Sequence, residues 1–226
     1  MKREYIVGLL AAILLFSLTT PATGQEKPGS GWAVDVKAGT FGIGGDLSRS
    51  IVPRALNLRV GASFFPYTTD FDEEGISYNA RLKLSAIPIA LDAFPFKNWF
   101  RISGGVVINL NEVTGTARSA EGTVDLGGTT YNLSSLGQLN GKVKFNRASP
   151  YFGLGFNNPI KKSGHLGFFT DLGVMYHGNP KASLTVTNQS IPGLQQSIDK
   201  EVQEVNQDLE GFSWFPVIQF GLSYKF

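Results

Sequence analysis

The end of the chain reads Trp214-Phe215-Pro216-Val217-Ile218-Gln219-Phe220-Gly221-Leu222-Ser223-Tyr224-Lys225-Phe226. Every second residue from Trp214 onward is apolar, and the residues between them include Gln219, Ser223 and Lys225. Side chains of a strand point alternately to opposite faces, so this pattern predicts a β-strand with one apolar face. A last strand of this kind, ending on an aromatic residue, is what we expect of the closing strand of a transmembrane β-barrel.

The first residues of the chain have the pattern of an export signal. Lys2 and Arg3 precede an apolar stretch over Tyr5–Leu18, and Ala22-Thr23-Gly24 follow it. This order predicts a secretory signal peptide over residues 1–24, cleaved before Gln25. The stretch is shorter than the roughly 20 apolar residues of a spanning helix, which makes an uncleaved anchor the weaker alternative.

The remaining residues, 25–226, have the length of one domain. They contain no other apolar run near the length of a spanning helix, which argues against transmembrane helices. Cys is absent, so neither disulfides nor thiolate chemistry are available. The formal charge of +2 is too small to indicate a nucleic-acid partner.

Seven long segments alternate between apolar and polar residues with a period of two. A tilted transmembrane strand needs about 9–11 residues, and each segment is long enough. In the third segment the alternation slips at Ser85–Ile89, around Pro88, which suggests a β-bulge. The segments are Trp32–Arg49, Ala55–Tyr67, Ile76–Phe94, Phe100–Val113, Lys142–Asn157, Leu166–Val186 and Trp214–Phe226.

The connections between these segments alternate between short and long. The short ones are 51–54, 97–98 and 158–164, and the long ones are 68–75, 114–141 and 187–211. Outer-membrane barrels have short periplasmic turns and longer extracellular loops. We therefore predict an all-β fold, a closed antiparallel up-and-down transmembrane β-barrel with Phe226 on the short-turn side.

The number of segments conflicts with the even strand number of single-chain bacterial barrels, so we expect eight strands. One solution makes Trp32–Gly39 and Phe41–Ile51 separate strands around a bend at Gly39–Gly45. The other makes the segment from Gln25 a short strand of its own. The sequence leaves both solutions open.

Two of the long connections contain predicted structure. Thr123–Tyr131 has the pattern of a hairpin around Gly127-Gly128. Leu194–Leu209 predicts a short helix, because its apolar residues form one stripe. This helix either packs on the strand ends or binds a partner.

Charged residues occur on the strand face opposite the apolar one. A Lys or Arg facing lipid at the bilayer midplane costs about 2–4 kcal/mol, so we predict that these charges point into the lumen. Buried charges need partners, which predicts a bonded network around Arg59, Arg81, Arg101 and Asp171. The predicted lumen network comprises Asp35, Lys37, Arg59, Arg81, Lys83, Arg101, Asp171 and Lys225, and Asp92 if the bulge restores its phase.

Two interpretations of this network stay open. It is either a structural plug that replaces a hydrophobic core, or a narrow path that favours anions because positive groups outnumber carboxylates. Glycines on the same face, among them Gly61 and Gly155, either leave room for such a path or permit sharp sheet curvature.

Catalysis and cofactor binding have little support in the sequence. His165 and His177 are the only histidines. A lipid A deacylase would need a Ser near its His, but Gly178 and Asn179 follow His177. The absence of Cys argues against a structural zinc site. We predict no enzymatic activity, no metal and no cofactor.

Six segments spread over the chain resemble a known family: 37–44, 56–61, 91–96, 100–105, 150–155 and 221–226. They resemble a family of proteobacterial-type outer-membrane β-barrel proteins. More distantly, the chain is similar to the small eight-stranded barrels of the OmpA and OmpW kind. The resemblance implies a fold and an outer-membrane location, but no substrate and no catalytic residues.

These patterns predict an outer-membrane protein with a structural or a passive, porin-like transport role. Alternatives are surface recognition through the loops at 114–141 and 187–211, and lipid modification by His177. The expected partners are outer-membrane lipid, lipopolysaccharide and the outer-membrane assembly machinery, with no ligand assigned. Tyr224 and Phe226 would be the C-terminal signal for membrane insertion.

Overall fold

The computed structural model describes residues 31–73, 76–97, 99–118, 122–157 and 166–226. Three features predicted from the sequence lie outside these residues: the signal peptide, the alternative strand from Gln25 and the turn at 158–164 with its neighbour His165.

The described residues contain thirteen strands, two α-helices and one 3-10 turn. The strands are β1 Trp32–Gly39, β2 Gly42–Val52, β3 Leu56–Glu73, β4 Ile76–Ala93, β5 Phe100–Asn109, β6 Glu112–Arg118, β7 Thr123–Leu126, β8 Thr129–Asn132, β9 Gln138–Lys144, β10 Ala148–Phe156, β11 Leu166–Tyr176, β12 Lys181–Val186 and β13 Trp214–Lys225. The helices are α1 Leu133–Leu136 and α2 Leu194–Asp208, and the 3-10 turn is Leu209–Gly211.

Eight of the strands close into an antiparallel barrel, in the order β1-β2-β3-β4-β5-β10-β11-β13. β13 pairs back to β1, from Lys225 opposite Ala33 to Gln219 opposite Gly39. This pairing removes both sheet edges, which a strand-built membrane protein must do. The predicted fold class and strand number are confirmed.

The eighth strand comes from the first predicted segment. β1 and β2 form a hairpin whose turn contains Thr40 and Phe41, and Gly42 follows with φ at +94°. Glycine suits this conformation because it has no Cβ. The first of the two predicted solutions is therefore confirmed. This turn is a short connection at the end of the barrel opposite Phe226, where only long loops were predicted.

The β-bulge predicted around Pro88 is wrong. β4 keeps one register with β3, from Leu56 opposite Ala93 to Glu73 opposite Ile76. Even-numbered residues of β4 therefore point to the inner side along its whole length. The apparent slip has another cause: inner residues are polar or small within the barrel and apolar above it.

Several strands continue beyond the barrel as an open sheet. Residues 65–73 of β3 pair with 76–84 of β4, and β6, β9 and β12 follow in that order. We call these five paired stretches the extension sheet. The loop predicted at 68–75 is wrong, because β3 and β4 run through it as a long hairpin and only the tip at 74–75 lies outside the described residues.

The extension sheet has a hydrophobic core of its own, separate from the barrel. The β7–β8 hairpin and α2 pack on its inner side, so the predicted hairpin and helix are confirmed. Because the helix contributes buried residues to this core, it packs on the strands as one of its two interpretations expected. The buried residues are Ile76, Leu126, Leu133, Leu136, Val186, Leu194 and Ile198.

The outer face of the barrel is a band of exposed apolar side chains. Phe152, Leu172 and Leu222 are among its members, at 55%, 46% and 52% exposure. Aromatic pairs lie at both ends, with Trp99 stacked on Phe156 at one end and Tyr176 against Trp214 at the other. Such a band between two aromatic girdles is typical of the lipid-facing surface of a barrel. Neither helix in the described residues is long and apolar enough to span a bilayer.

Candidate functional site in the barrel interior

Six barrel strands bring charged side chains together in the interior. Each strand contributes one residue to a set of ion pairs, all six of these residues are buried, and β1 adds Asp35 as a further buried carboxylate. They are Lys37 on β1, Asp46 on β2, Arg59 on β3, Asp92 on β4, Arg101 on β5 and Asp171 on β11.

Arg59 lies at the centre of this network and binds three carboxylates. Its Nε and Nη2 donate to the two oxygens of Asp92 at 2.9 and 3.1 Å. Its Nη1 donates to Asp171 Oδ2 at 3.1 Å and to Asp46 Oδ2 at 3.5 Å. Because the planar guanidinium presents five donors, one Arg can tie together three strands besides its own.

Arg101 forms the second centre and shares two carboxylates with Arg59. Its Nε and Nη2 both donate to Asp171 Oδ1, and its Nη1 lies 3.8 Å from Asp92 Oδ2. The guanidinium carbon lies 5.5 Å from the centre of the Phe169 ring. Ser103 completes the cluster by donating to Asp92 Oδ1 at 2.6 Å.

Two charged side chains of β1 lie in the interior, Lys37 within the network and Asp35 beside it. Lys37 Nζ lies 2.6 Å from Asp46 Oδ1. Asp35 accepts a long hydrogen bond of 3.5 Å from Ser48 Oγ, and its Oδ1 has no hydrogen-bond partner among the described residues. Asp35 is therefore the least supported carboxylate of the interior.

Inward glycines make room for these side chains. A methyl group built at Gly155 would overlap Arg101 Nε and lie 2.6 Å from Asp171 Oδ1. A methyl group at Gly61 would overlap Asp46 Oδ1, and one at Gly153 would overlap the Tyr151 hydroxyl. The space beside these glycines is thus occupied by other side chains of the interior.

The structure places five of the eight predicted residues inside the barrel: Asp35, Lys37, Arg59, Arg101 and Asp171. Lys225 lies half-buried at the end of β13. The prediction is wrong for Arg81 and Lys83, which are exposed on the outer face of the extension sheet. Without a bulge, odd-numbered positions of β4 face outward over its whole length.

Two carboxylates of the network were not firmly predicted. Asp92 faces inward, although no bulge restores its phase. Asp46 was missed because Trp32–Arg49 was treated as one strand, and the turn at Thr40 and Phe41 changes which residues face inward. In the second half of this segment the polar residues Asp46 and Ser48 are at even positions, a signal that the inward face had changed from odd to even residues.

The charge balance in the interior differs from the prediction. Among the described residues the buried carboxylates are Asp35, Asp46, Asp92 and Asp171, and the buried cations are Lys37, Arg59 and Arg101, which makes four against three. The predicted excess of positive groups is therefore wrong, because Arg81 and Lys83 lie outside. A path selective for anions loses its electrostatic basis.

Above the ionic network, apolar side chains form a buried cluster in the interior. The cluster has seven buried members from five strands and the β1–β2 turn, and the Phe215 ring stacks on Phe41 at 5.9 Å between centres. An eight-stranded barrel is just wide enough for side chains to fill it. The members are Phe41, Ala86, Ala90, Val107, Tyr151, Met175 and Val217.

His177 lies at the upper rim, between β11 and β12. Its ring makes an edge contact with Phe145 at 4.8 Å between centres, and Nδ1 lies 3.0 Å from the Gly178 carbonyl oxygen. Burial lowers the pKa of His177, so the ring is neutral near pH 7. No group of three or more His, Cys, Asp or Glu side chains in the described residues could hold a metal ion.

Comparison with known proteins shows the fold. No protein-family model matches the chain, and a search of curated protein sequences finds no match. CarO2 of Acinetobacter baumannii aligns with a TM-score of 0.56 and 22% identity, over 90% of this chain and all of that one. CarO of the same organism aligns with a TM-score of 0.55 and 20% identity, over the same shares. At these identities the likeness establishes the architecture of an outer-membrane barrel. The finer resemblance to OmpA and OmpW stays a prediction.

Proposed function

We propose that this protein is an outer-membrane barrel with a structural role and a closed lumen. The barrel would anchor the extension sheet and α2 at the cell surface. The observation that carries the proposal is the apolar cluster of Phe41, Tyr151, Met175 and their neighbours, which lies across the interior above the ionic network. A solute would have to displace both layers to pass, which argues against the passive transport role.

Support for the location comes from the barrel surface. The exposed apolar band between two aromatic girdles fits a lipid bilayer, and the fold is that of outer-membrane barrels. Fractionation of cell envelopes tests this: the protein should sediment with the outer membrane and migrate faster on gels before heating than after. Recovery in the soluble periplasmic fraction would contradict the proposal.

Conductance measurements test the closed lumen. Wild-type protein reconstituted in planar bilayers should show no channel events, because two packed layers fill the interior. Variants that remove charge from the network, such as Arg101→Ala, should leave the bilayer silent as long as the apolar cluster is intact. Steady channel openings from the wild type would restore the passive transport role.

Surface recognition is a second candidate function, favoured by the separate core of the extension sheet. A subdomain that folds on its own core can hold a binding surface in place. Deleting residues 194–209 should then abolish binding of partner cells while the barrel keeps its heat-modifiable mobility. Unchanged binding would argue against recognition through this helix.

A further inference from the structure

The outer face of the extension sheet carries an ordered group of cations. The strand register aligns Lys83, Glu112, Lys144 and Lys181 in one row across β4, β6, β9 and β12. In the next row, Arg81 and Lys142 flank Thr114. We call these two rows the basic rows; their charged members are Arg81, Lys83, Glu112, Lys142, Lys144 and Lys181.

The basic rows carry five cations and one carboxylate, a net charge of +4. Glu112 is paired with Lys142 at 2.7 Å. Hydrogen bonding by Lys142, with further attraction from Lys144 and Lys83, lowers the pKa of Glu112, so this carboxylate is ionised. Within the described residues no ion pair neutralises the other cations.

The arrangement is unfavourable for the protein by itself. Lys144 and Lys181 are directly opposite each other on neighbouring strands. Like charges in this position repel and destabilise a sheet. An external anion would turn this repulsion into binding, and Lys is well suited to phosphate as a compact positive charge.

The rows lie on the same face as the lipid-facing band of the barrel. On β4, Ile89 and Leu91 are exposed on the band, and Lys83 points to the same side six residues away from Ile89. That separation is about 20 Å along a strand. On the other flank, Lys181 follows five residues after Tyr176 of the aromatic girdle. The cations thus lie beyond the apolar band, at the end of the barrel with the long loops, where the headgroups of the outer leaflet would be.

We propose that the basic rows bind the phosphate groups of outer-leaflet lipid, the lipopolysaccharide beside the barrel. Binding of lipid phosphates to this outer face would hold the extension sheet against the outer leaflet. The inference rests on the proposed outer-membrane placement and adds a lipid-binding site to it. Fractionation tests the placement independently of the binding measurement below, so the two can fail separately.

Titration of bisphosphorylated lipid A into protein refolded in neutral detergent tests the site, with bound lipid counted by native mass spectrometry. Replacing two adjacent cations in K144Q/K181Q should weaken binding by roughly thirtyfold. The matched control, R54Q/K97Q, removes the same charge from exposed residues of the turns at the opposite end and should bind like the wild type. Heat-modifiable mobility establishes that each variant is folded.

Two further arms sharpen the outcome. E112Q removes the one carboxylate of the basic rows and should strengthen binding. Phosphate-free lipid A should bind the wild type as weakly as it binds K144Q/K181Q. Equal binding of the phosphorylated lipid by K144Q/K181Q and the wild type would overturn the proposal. The proposal would also be overturned if the wild type bound phosphate-free lipid A as tightly as it binds the phosphorylated lipid.

Discussion

In the barrel interior, some charged side chains occupy space that is free only because the neighbouring residue is a glycine. Gly155 matters because Arg101 and Asp171 occupy the space where its side chain would be. Gly104, which faces outward on the neighbouring strand, has no such role, since a methyl group there would meet nothing within 4 Å. Arg101 and Asp171 are directly opposite Gly155 on the two neighbouring strands, so the importance of this glycine is decided by its cross-strand neighbours.

Gly155→Ala should destabilise the barrel by about 1–3 kcal/mol, because the added methyl group overlaps the Arg101–Asp171 pair. Urea unfolding of refolded protein in detergent measures this. Gly104→Ala is the matched control and should change the free energy of unfolding by a few tenths of a kcal/mol at most. Equal effects of the two substitutions would contradict the packing role of Gly155.

Because buried carboxylates outnumber buried cations, removing a buried cation should cost more stability than removing a buried carboxylate. Arg59→Met should cost about 3–5 kcal/mol, because it leaves three buried carboxylates without their shared partner. Asp35→Asn should cost far less, since it brings the interior to three cations and three carboxylates and removes a poorly bonded group. The same urea titrations compare them. A larger loss for Asp35→Asn than for Arg59→Met would refute this account.

The buried ring of His177 predicts acid sensitivity. Its pKa in the folded protein is below the ordinary value of 6.5, so the unfolded chain takes up the proton first as the pH falls. Stability should therefore decrease as the pH drops below 6.5 and be unaffected by this group above it. His177→Phe should remove that part of the pH dependence in unfolding titrations. An unchanged pH profile would show that other groups cause it.

At the scale of elements, the long strands join two separately packed regions. β3 and β4 run without a shift from the lipid-facing barrel into the extension sheet. β5 and β6 also keep one register along β4, although Leu110 and Asn111 separate them. Each continuous crossing therefore carries one inner face through two environments, first the polar lumen and then an apolar core.

The helix α2 should be removable without loss of the barrel. Ile198→Asp places a charge in the core of the extension sheet, where Ile198 is 5% exposed, and should release the helix. We expect proteases to cut near the helix while heat-modifiable mobility is retained. Gln196→Asp, at an exposed position of the same helix, is the control and should resist cleavage like the wild type. Loss of the folded barrel in Ile198→Asp would show that the two regions fold as one unit.

At the scale of the whole molecule, the interior consists of two layers in series. The ionic network joins six strands, and the apolar cluster lies above it. Either layer alone should prevent ion flow, since each fills the narrow section of an eight-stranded barrel.

This arrangement predicts that opening the barrel requires changes in both layers. Tyr151→Ala with Met175→Ala should stay silent in planar bilayers, because the ionic network is intact. Adding Arg101→Ala to these substitutions should produce channel events, provided that the protein keeps its heat-modifiable mobility. Conduction by the first variant would mean that the apolar layer is the sole barrier.

The sequence by itself determined the class of fold, since strand periodicity and the alternation of loop lengths are local properties of the chain. It also indicated that Arg59, Arg101 and Asp171 face inward, because a charge cannot face lipid. The sequence did not decide the inner or outer side of Arg81 and Lys83. These two residues lie on the part of β4 that belongs to the extension sheet. There the inner face packs on an apolar core, so the polar face is the outer one.

Only the tertiary structure decided which charges meet and what closes the lumen. Asp46 joined the network through a turn at Thr40 and Phe41 that changed the inward phase of β2. The apolar cluster depends on Phe41 and Met175, which are far apart in the chain and meet only when the barrel closes. Alternation assigns a side chain to one of two faces, but its partners across a lumen follow from register and closure.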